Sequence, residues 1–374
     1  MTIRVCRVIN AMWTGGVQVR LCELLPRLRE HGAQPHVCTL RARGELANVL
    51  EQQTGIPTTH VEVRGRLHPR YLIRLARFFR RHRFDVVHTH MYQSNISGVA
   101  AARLAGVPCI ISQNHNVGVY HGKARHGLTD RLMMPFRDRY LAVSRAVAED
   151  TARALGLPAD RFEVLTNGIA PHPKPDLKPP ERLKAELCLP LDALVIIHVA
   201  RLHPNKNHRA FIEQLPDLFQ REPRLHLLLV GKGREQPALE HLVHRLGLET
   251  RVHFLGHRRD VPDLMSMADI SILPSRVEGF SNVVLESMVY GAALVVTDVG
   301  GAREQIRHGV DGFIVPPGDM RTMATAVLRL VHQPELRQRL AAEAARRVHA
   351  FSLDAMAERT MSLYESILRQ RKRT

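Results

Sequence analysis

The sequence predicts an α/β protein built from two doubly wound domains, each a parallel sheet covered by helices. Short apolar segments typical of buried strands alternate with amphipathic helical segments along nearly the whole chain. The alternation stops once, at a proline-rich stretch, and then restarts. The length of 374 residues fits two domains of ordinary size. Alternating strands and helices with short connections are typical of parallel sheets with both faces covered.

The first series of elements begins with a strand that leads into a glycine turn and then a helix from Val17 to His31. An alanine-rich helix running to Leu104 and another helix starting at Ala146 lie between later strands. The predicted strands of this series cover residues 4–10, 36–40, 84–90, 108–115, 139–144 and 162–169.

Residues 169–180 carry five prolines in twelve positions and show no periodicity, which is the composition of a linker. The second series follows it and ends in an amphipathic helix from about Ser352 to Arg371. In open parallel sheets ligands bind at the carboxyl ends of the strands, so the loops there and a cleft between the two domains are the expected site. The predicted strands cover residues 194–201, 224–233, 251–256, 269–275, 293–301 and 312–317.

The composition excludes several classes of protein. Apolar residues make up 45% and charged residues 24% of the chain, as in ordinary globular proteins. The longest weakly polar stretch, 96–112, is too short and too interrupted to span a bilayer, and the N-terminus has no signal-peptide pattern. The cysteines are odd in number and widely spaced, at Cys6, Cys22, Cys38, Cys109 and Cys188. This pattern predicts reduced thiols in a cytoplasmic protein and not a disulfide framework or a zinc site.

Several loops after predicted strands carry residues suited to phosphate. Gly15 and Gly16 open a helix, where bare backbone N–H groups can approach an anion, and Gly231 lies in a similar turn. Arg201 stands at a strand end with Lys206 five residues later, a pair of cations that suits a diphosphate. Each feature alone is also compatible with simple turn geometry or with an ordinary surface pair.

The stretch "SRVEGFSNVVLE" at 275–286 places Glu278 before a helix start and Glu286 inside the helix. Ser281 is the predicted N-cap residue, so the amides of Asn282 and Val283 would point toward a phosphate. Carboxylates accept hydrogen bonds from vicinal hydroxyls through two oxygens. This pattern predicts phosphates at the helix start, with sugars bound on either side.

With these motifs the chain resembles the family 4 retaining glycosyltransferases of the GT-B fold (glycosyl transferases group 1). "EGFSNVVLES" matches their E-x7-E motif, and ordered motifs cover nearly the whole chain: the early "GG" turn, "DVVHTH", "SQNH", "AVS", "TNGI", "ARL", "VGKG", "FLG", "TDVGG" and "DGFIV". The resemblance implies two Rossmann-like domains facing a central cleft. It also implies an enzyme that transfers a hexose from a UDP- or GDP-linked sugar, with retention of configuration and no further cofactor.

The resemblance also assigns roles to residues. Arg201 and Lys206 would hold the diphosphate, Glu286 the nucleotide ribose and Glu278 the donor sugar, and His115 would lie near the reacting sugar. The glycine turn of the first domain would cap the phosphate or sugar. The other residues expected at the donor are Gly15, Gly16, Gly231, Gly279, Phe280, Ser281, Asn282 and Val283, with His257 and Arg258 near the base.

By the same resemblance, residues 1–175 form an acceptor-side domain and 176–351 a nucleotide-sugar-binding domain, and the terminal helix at 352–374 packs back on the first. The chain has no D-x-D, so we expect no metal at the leaving group. The expected acceptor is a lipid-linked or cell-envelope glycan. A nucleotide-sugar epimerase of the same architecture and a charge-driven nucleic-acid-binding protein are the alternatives.

The net charge of +17 is uneven: residues 1–180 hold 26 Lys and Arg against 13 Asp and Glu. Residues 64–83 contain eight arginines and no acid, and on a helix four of them form one stripe. Such a helix can present its arginines to the anionic inner face of the plasma membrane, or it can be a solvated face. Without a binding module or an aromatic platform we expect no nucleic-acid partner. The stripe consists of Arg70, Arg74, Arg77 and Arg81.

Overall fold

The computed structural model describes residues 2–65 and 67–371. It divides into two compact units, one made of the residues up to Gly168 together with those from Ser352 onward, and one made of Ile169–Phe351. The division falls at the start of the proline-rich stretch and not within it. Met1, Arg66 and the end of the predicted terminal helix at 372–374 lie outside the described residues.

The first unit contains a parallel sheet whose strands are buried on both faces, as the apolar runs of the sequence predict. In the described chain the strand order is β3-β2-β1-β4-β5-β6-β7, with all pairs parallel. The order reverses between β1 and β4, which is where doubly wound sheets bind ligands. The strands are β1 (Ile3–Ile9), β2 (Ala33–Thr39), β3 (Thr58–His60), β4 (Val86–His90), β5 (Cys109–Asn114), β6 (Arg139–Ala142) and β7 (Phe162–Val164).

Helices connect these strands and cover the sheet. Their apolar sides join two buried clusters, one on each face of the sheet. Helix α3 shows the pattern clearly, because Leu72, Leu75 and Phe79 are buried while the intervening arginines are exposed. The helices are α1 (Gly16–Glu30), α2 (Glu45–Thr54), α3 (Pro69–His82), α4 (Tyr92–Ala105), α5 (Ala124–Leu132) and α6 (Arg145–Leu155).

The second unit repeats the plan with a sheet of order β10-β9-β8-β11-β12-β13, again parallel throughout the described residues. Its order reverses between β8 and β11. The carboxyl ends of these two neighbouring strands therefore lie side by side. The strands are β8 (Leu194–Val199), β9 (Leu225–Val230), β10 (Val252–Gly256), β11 (Ile270–Leu273), β12 (Ala293–Thr297) and β13 (Phe313–Val315).

The helices of the second unit bury their apolar sides against both faces of its sheet. They are α7 (Pro180–Glu186), α8 (His208–Ile212), α9 (Leu215–Arg221), α10 (Gln236–Arg245), α11 (Val261–Met267), α12 (Asn282–Tyr290), α13 (Ala302–Gln305), α14 (Met320–His332) and α15 (Pro334–Arg347).

The terminal helix α16 (Leu353–Arg371) belongs to the first unit, where it packs against α1. Met356, Met361, Tyr364 and Ile367 are buried in the same apolar cluster as Leu24 of α1. Burying one such side chain contributes roughly 1.5–3 kcal/mol. The helix is therefore an integral part of the first unit's core. Over the described residues, every helix is too short or too polar to cross a membrane.

Candidate functional site

A direct ion pair joins two of the predicted donor-site residues, Lys206 and Glu278. Lys206 lies in a short 3-10 turn (Pro204–Lys206) that follows β8, and its Nζ is 2.5 Å from Oε1 of Glu278. The hydroxyl of Ser275 donates to the same oxygen at 2.7 Å. The exposed side chain of Arg201 belongs to the same loop. The structure thus brings together residues that are far apart in the sequence.

The topology of the sheet explains why Lys206 and Glu278 lie close together. The loops after β8 and β11 leave the same edge of the sheet at neighbouring strands, the point at which the strand order reverses. Backbone and side-chain bonds then tie the loops together. The backbone N–H of Arg276 donates to the carbonyl of Asn205 at 2.8 Å, and its Nε donates to Oδ1 of Asn207 at 3.1 Å.

Two glycines allow the loops of this edge to pack closely. Gly231, after β9, has φ +139, and a Cβ there would lie 2.1 Å from the carbonyl oxygen of Ala200. A Cβ on Gly300, after β12, would lie 2.2 Å from the carbonyl oxygen of Glu278. Both contacts are impossible for any other residue without a backbone shift. Gly231 therefore allows its own loop to pack closely against the loop that carries Arg201.

Helix α12 begins directly after Ser281, which has an extended backbone (φ −74, ψ 120). This confirms the prediction that Ser281 is the N-cap residue of the helix, although its side chain makes no capping hydrogen bond. Gln305 holds the residue instead, because its Oε1 accepts from the Ser281 N–H at 3.1 Å and its Nε2 donates to the Ser281 carbonyl at 2.7 Å. Glu286 follows on the same helix and is half-buried.

Gly279 and Phe280 complete the segment that leads into α12. Both are buried, and the ring of Phe280 packs edge-on against Phe351 at 5.6 Å between centroids. The N–H of Gly301 donates to the carbonyl of Gly279 at 2.8 Å. These contacts hold the segment between Glu278 and Asn282 in place, which positions the start of the helix.

Two buried histidines lie beside the cationic loop. His198 on β8 and His208 on α8 stack with 4.2 Å between ring centroids. Burial, and then the charge of Lys206, lower the pKa of His208 to about 4. Burial also lowers the pKa of His198 well below its ordinary value, with His208 and Lys206 adding to the effect. Both rings are therefore neutral at neutral pH, so the positive charge of this loop comes from Lys206 and Arg201.

The predicted base-binding residues follow β10. His257 is exposed, whereas Arg258 forms a two-bond ion pair with Asp260, at 2.8 Å from Nε and 2.6 Å from Nη2. The hydrogen bonds to Asp260 raise the pKa of Arg258. Because β9 separates β10 from β8, these two residues lie at the edge of the sheet, away from the Lys206–Glu278 pair.

In the first unit, the predicted residues follow β1 and β5, on either side of β4. Gly15 precedes α1 with an extended backbone (φ −173) that any residue can adopt, and Gly16 is the first residue of α1. The same loop exposes Trp13, the single tryptophan of the chain. His115 follows β5 and is half-buried. Its Nε2 lies 3.0 Å from Nδ1 of His90 on β4.

His90 leads into a buried polar cluster whose arginine, Arg7, was not predicted from the sequence. Arg7 of β1 is 1% exposed, and its Nη1 lies 3.2 Å from Nε2 of His90. His88 stacks on His90 at 4.7 Å, and its Nδ1 is 2.8 Å from the hydroxyl of Tyr364. The stretch "HTH" does predict the two histidines of the cluster, because alternation along a strand places both imidazoles on one face. Across the described ranges, no three His, Cys, Asp or Glu side chains are grouped as metal ligands.

Comparison with known proteins identifies the family. The profile of Glycosyltransferase Family 4 matches residues 14–172, and that of Glycosyl transferases group 1 matches residues 181–347. Together they cover most of both units. The region matched by Glycosyl transferases group 1 includes Arg201, Lys206 and Glu278. The region matched by Glycosyltransferase Family 4 includes Gly15 and His115.

Individual relatives are similar over much of their length. A D-inositol 3-phosphate glycosyltransferase of Thermobispora bispora is 26% identical over 96% of this chain and 92% of that protein. The UDP-Gal:alpha-D-GlcNAc-diphosphoundecaprenol alpha-1,3-galactosyltransferase of Escherichia coli is 27% identical over 69% of each chain.

Among solved structures, HepE of Anabaena in complex with UDP and glucose has a TM-score of 0.86 and 23% identity. The match covers 97% of this chain and 100% of that one. At this identity the likeness establishes the fold, which is GT-B, with two parallel-sheet α/β domains. The chain belongs to the family 4, group 1 glycosyltransferases and is a glycosyltransferase.

Proposed function

We propose that the protein is a retaining hexosyltransferase that uses a UDP- or GDP-linked sugar and acts on a lipid-linked or cell-envelope glycan. The observation that carries this proposal is the contact between Lys206 and Glu278 at the point where the strand order of the second sheet reverses. A cation and a carboxylate held there can contact, respectively, the diphosphate and the sugar of one donor molecule. Arg201 in the same loop supplies a second cation.

The chemistry of the leaving group supports this role for the cations. As the bond from sugar to phosphate breaks, negative charge builds on the nucleoside diphosphate. Positive groups fixed beforehand stabilise that charge without reorganisation during the reaction. Lys206 is half-buried and held by Glu278 and the tied loops, so its ammonium group is positioned before the donor binds.

The contacts of Glu278 favour a binding role over a nucleophilic one. Its Oε1 is shared by the ammonium of Lys206 and the hydroxyl of Ser275. A carboxylate oxygen that accepts two hydrogen bonds is a weakened nucleophile but a well-oriented acceptor for a sugar hydroxyl. We assign no protein nucleophile, and in this proposal the donor β-phosphate accepts the proton of the incoming hydroxyl.

The acceptor class rests on charge and on relatives. The two curated relatives described above act on an inositol phosphate and on a diphosphoundecaprenol-linked sugar, both of which are anionic. The first unit of this chain carries most of the excess positive charge. A phosphorylated acceptor therefore matches its electrostatics.

Release of nucleoside diphosphate from a panel of nucleotide sugars tests this function. The panel pairs UDP- and GDP-linked hexoses with polyprenyl-diphosphate saccharides and with inositol phosphates. We expect release that depends on one donor and on an anionic acceptor, and a product with the anomeric configuration of the donor. An inverted product would contradict retention. Interconversion of the nucleotide sugar without an acceptor would indicate an epimerase.

We also propose that α3 binds an anionic membrane surface. Its four stripe arginines are exposed and form no ion pair with a described residue, while Leu72, Leu75 and Phe79 anchor the helix in the core. Ile73, 48% exposed, adds an apolar contact on the outer side. A recess of about 430 Å³ is lined by Glu62, Arg64, Arg70, Tyr71, Arg74 and Arg77, with enough room for a phosphate headgroup.

Vesicle co-sedimentation tests the membrane proposal. Each basic side chain near an anionic leaflet contributes about 1 kcal/mol, and salt screens the attraction. We expect binding to anionic vesicles at low salt, weaker binding at high salt and no binding to neutral vesicles. Changing the stripe (Arg70, Arg74, Arg77 and Arg81) to glutamine should abolish most of the binding.

A charge-matched variant provides the control for this experiment. It changes four exposed arginines elsewhere in the first unit to glutamine and should retain most of the binding. Equal loss in both variants would show that net charge and not α3 is responsible. Full binding by the stripe variant would exclude α3 as the contact. The control arginines are Arg103, Arg125, Arg153 and Arg161.

A further inference from the structure

A chain of three side chains connects the buried core of the first unit to His115. Nη1 of Arg7 lies 3.2 Å from Nε2 of His90, and Nδ1 of His90 lies 3.0 Å from Nε2 of His115. The three residues belong to β1, to β4 and to the loop after β5, three neighbouring strands of the sheet. Arg7 and His90 are each 1% exposed, so the geometry of the chain is held by the core.

Arg7 is an unusual residue to bury. Among the described residues it has no carboxylate partner, and two of its nitrogens, Nε and Nη2, have no hydrogen-bond partner. A buried cation without a counter-ion is costly, so its presence needs a reason beyond packing. The polar groups around it are the imidazoles of His88 and His90 and the ring of Tyr364, over which its guanidinium carbon lies at 5.8 Å.

The direction of the hydrogen bonds follows from the chemistry of arginine. A guanidinium has only donors, so Nε2 of His90 must accept from Arg7. A neutral His90 then carries its proton on Nδ1 and donates it to His115. Nε2 of His115 must accept in turn, which leaves its single ring proton on Nδ1. A protonated Nε2 on His115 would face the N–H of His90 and break the chain.

We infer that Arg7 and His90 are positioning residues that fix His115 as a neutral imidazole with its proton on Nδ1. His115 then contacts the transferred sugar as a hydrogen-bond donor and not as a general acid or base. This inference rests on the proposed function and on the place near the reacting sugar that the family resemblance assigns to His115. It gives Arg7, a residue with no access to substrate, a role in the reaction.

The electrostatics of the cluster agree with this arrangement. Burial first, and then the charge of Arg7, lower the pKa of His115 to about 3. Burial also lowers the pKa of His90, with His88, Arg7 and His115 adding to the effect. Since both folded-state pKa values are depressed, both rings are neutral above the ordinary histidine value of about 6.5 and remain neutral below it.

Nuclear magnetic resonance of histidine-labelled wild-type protein tests the inference directly. Two-bond ¹H–¹⁵N correlations distinguish a protonated from an unprotonated ring nitrogen, and loss of one signal set in His115→Asn assigns His115. We expect a protonated Nδ1 and an unprotonated Nε2, unchanged across the pH range in which ordinary histidines titrate. A proton on Nε2, or titration within that range, would overturn the inference.

Two matched variants separate positioning from packing. His90→Phe keeps a ring in the core but removes both hydrogen bonds, so His115 should show mixed tautomers or begin to titrate. His88→Phe replaces the imidazole stacked on His90 by an apolar ring and leaves the chain from Arg7 to His115 intact, so the tautomer should not change. An unchanged His115 tautomer in folded His90→Phe would contradict the positioning role.

Kinetics with the donor found by the panel provide a second readout. His90→Phe should lower kcat roughly tenfold, the rate equivalent of one hydrogen bond, with a smaller change in KM. His115→Asn places an amide N–H near the Nδ1 position and should retain more activity than His115→Gln. Wild-type kcat in His90→Phe would count against the inference. If no nucleotide sugar reacts at all, the proposed function fails, while the tautomer measurement still decides the arrangement of the cluster.

Discussion

Replacing Lys206 with methionine is expected to lower kcat by about 10²-fold or more, with a much smaller effect on KM for the nucleotide sugar. Methionine keeps the length and apolar stem of lysine but removes the charge. Loss of one fixed group that stabilises developing charge typically costs on the order of 10²–10³ in rate. The measurement is steady-state release of nucleoside diphosphate from the donor identified by the panel.

Arg201→Met should behave in the same way, since both residues follow β8 at the same edge of the sheet. Lys174→Met provides the control, because Lys174 is exposed in the proline-rich stretch and belongs to neither the loop after β8 nor the loop after β11. We expect wild-type kinetics for the control. Wild-type kcat in both Lys206→Met and Arg201→Met would show that these two side chains do not stabilise the leaving nucleoside diphosphate.

Glu286→Ala is expected to weaken nucleoside diphosphate binding by roughly ten- to a hundredfold. Hydrogen bonds that involve a charged group contribute roughly 1.5–3 kcal/mol, and the variant removes a carboxylate proposed to accept from the ribose hydroxyls. The effect should appear in Kd for UDP or GDP alone, measured by titration calorimetry. The exposed Trp13 offers a fluorescence signal in the first unit for comparison.

Two further variants make this prediction specific. Glu286→Gln retains one acceptor oxygen and nearly the same shape, so its loss of affinity should be smaller. Glu240→Ala removes an exposed carboxylate of α10 and should leave Kd unchanged. Equal affinity in wild type and Glu286→Ala would show that the ribose is bound elsewhere.

The fold was largely predictable because apolar runs of strand length and helical periodicity are local signals. The strands of the second unit begin and end within a few residues of their predicted bounds, from β8 to β13. Strand β3 (Thr58–His60) was missed because its three residues are all polar and give no apolar run. Strand order is not a local property, so periodicity alone could not show that β8 and β11 are neighbours.

The candidate site was predictable where a motif carried it. Lys206 and Glu278 were both assigned to the donor from the family resemblance, and their direct contact follows from the strand order. Gln305 was missed because its partner Ser281 lies 24 residues away and no local pattern marks the pair. Arg7 was missed because one charged residue within an apolar strand gives no sign of whether its side chain is buried.

We propose that protein cations, and not a metal ion, stabilise the leaving nucleoside diphosphate. The most direct test is to follow nucleoside diphosphate release from the preferred donor and acceptor in excess chelator. We predict the same kcat with and without chelator, and loss of that activity in Lys206→Met. Activity that disappears in chelator and returns only with magnesium or manganese would contradict the claim.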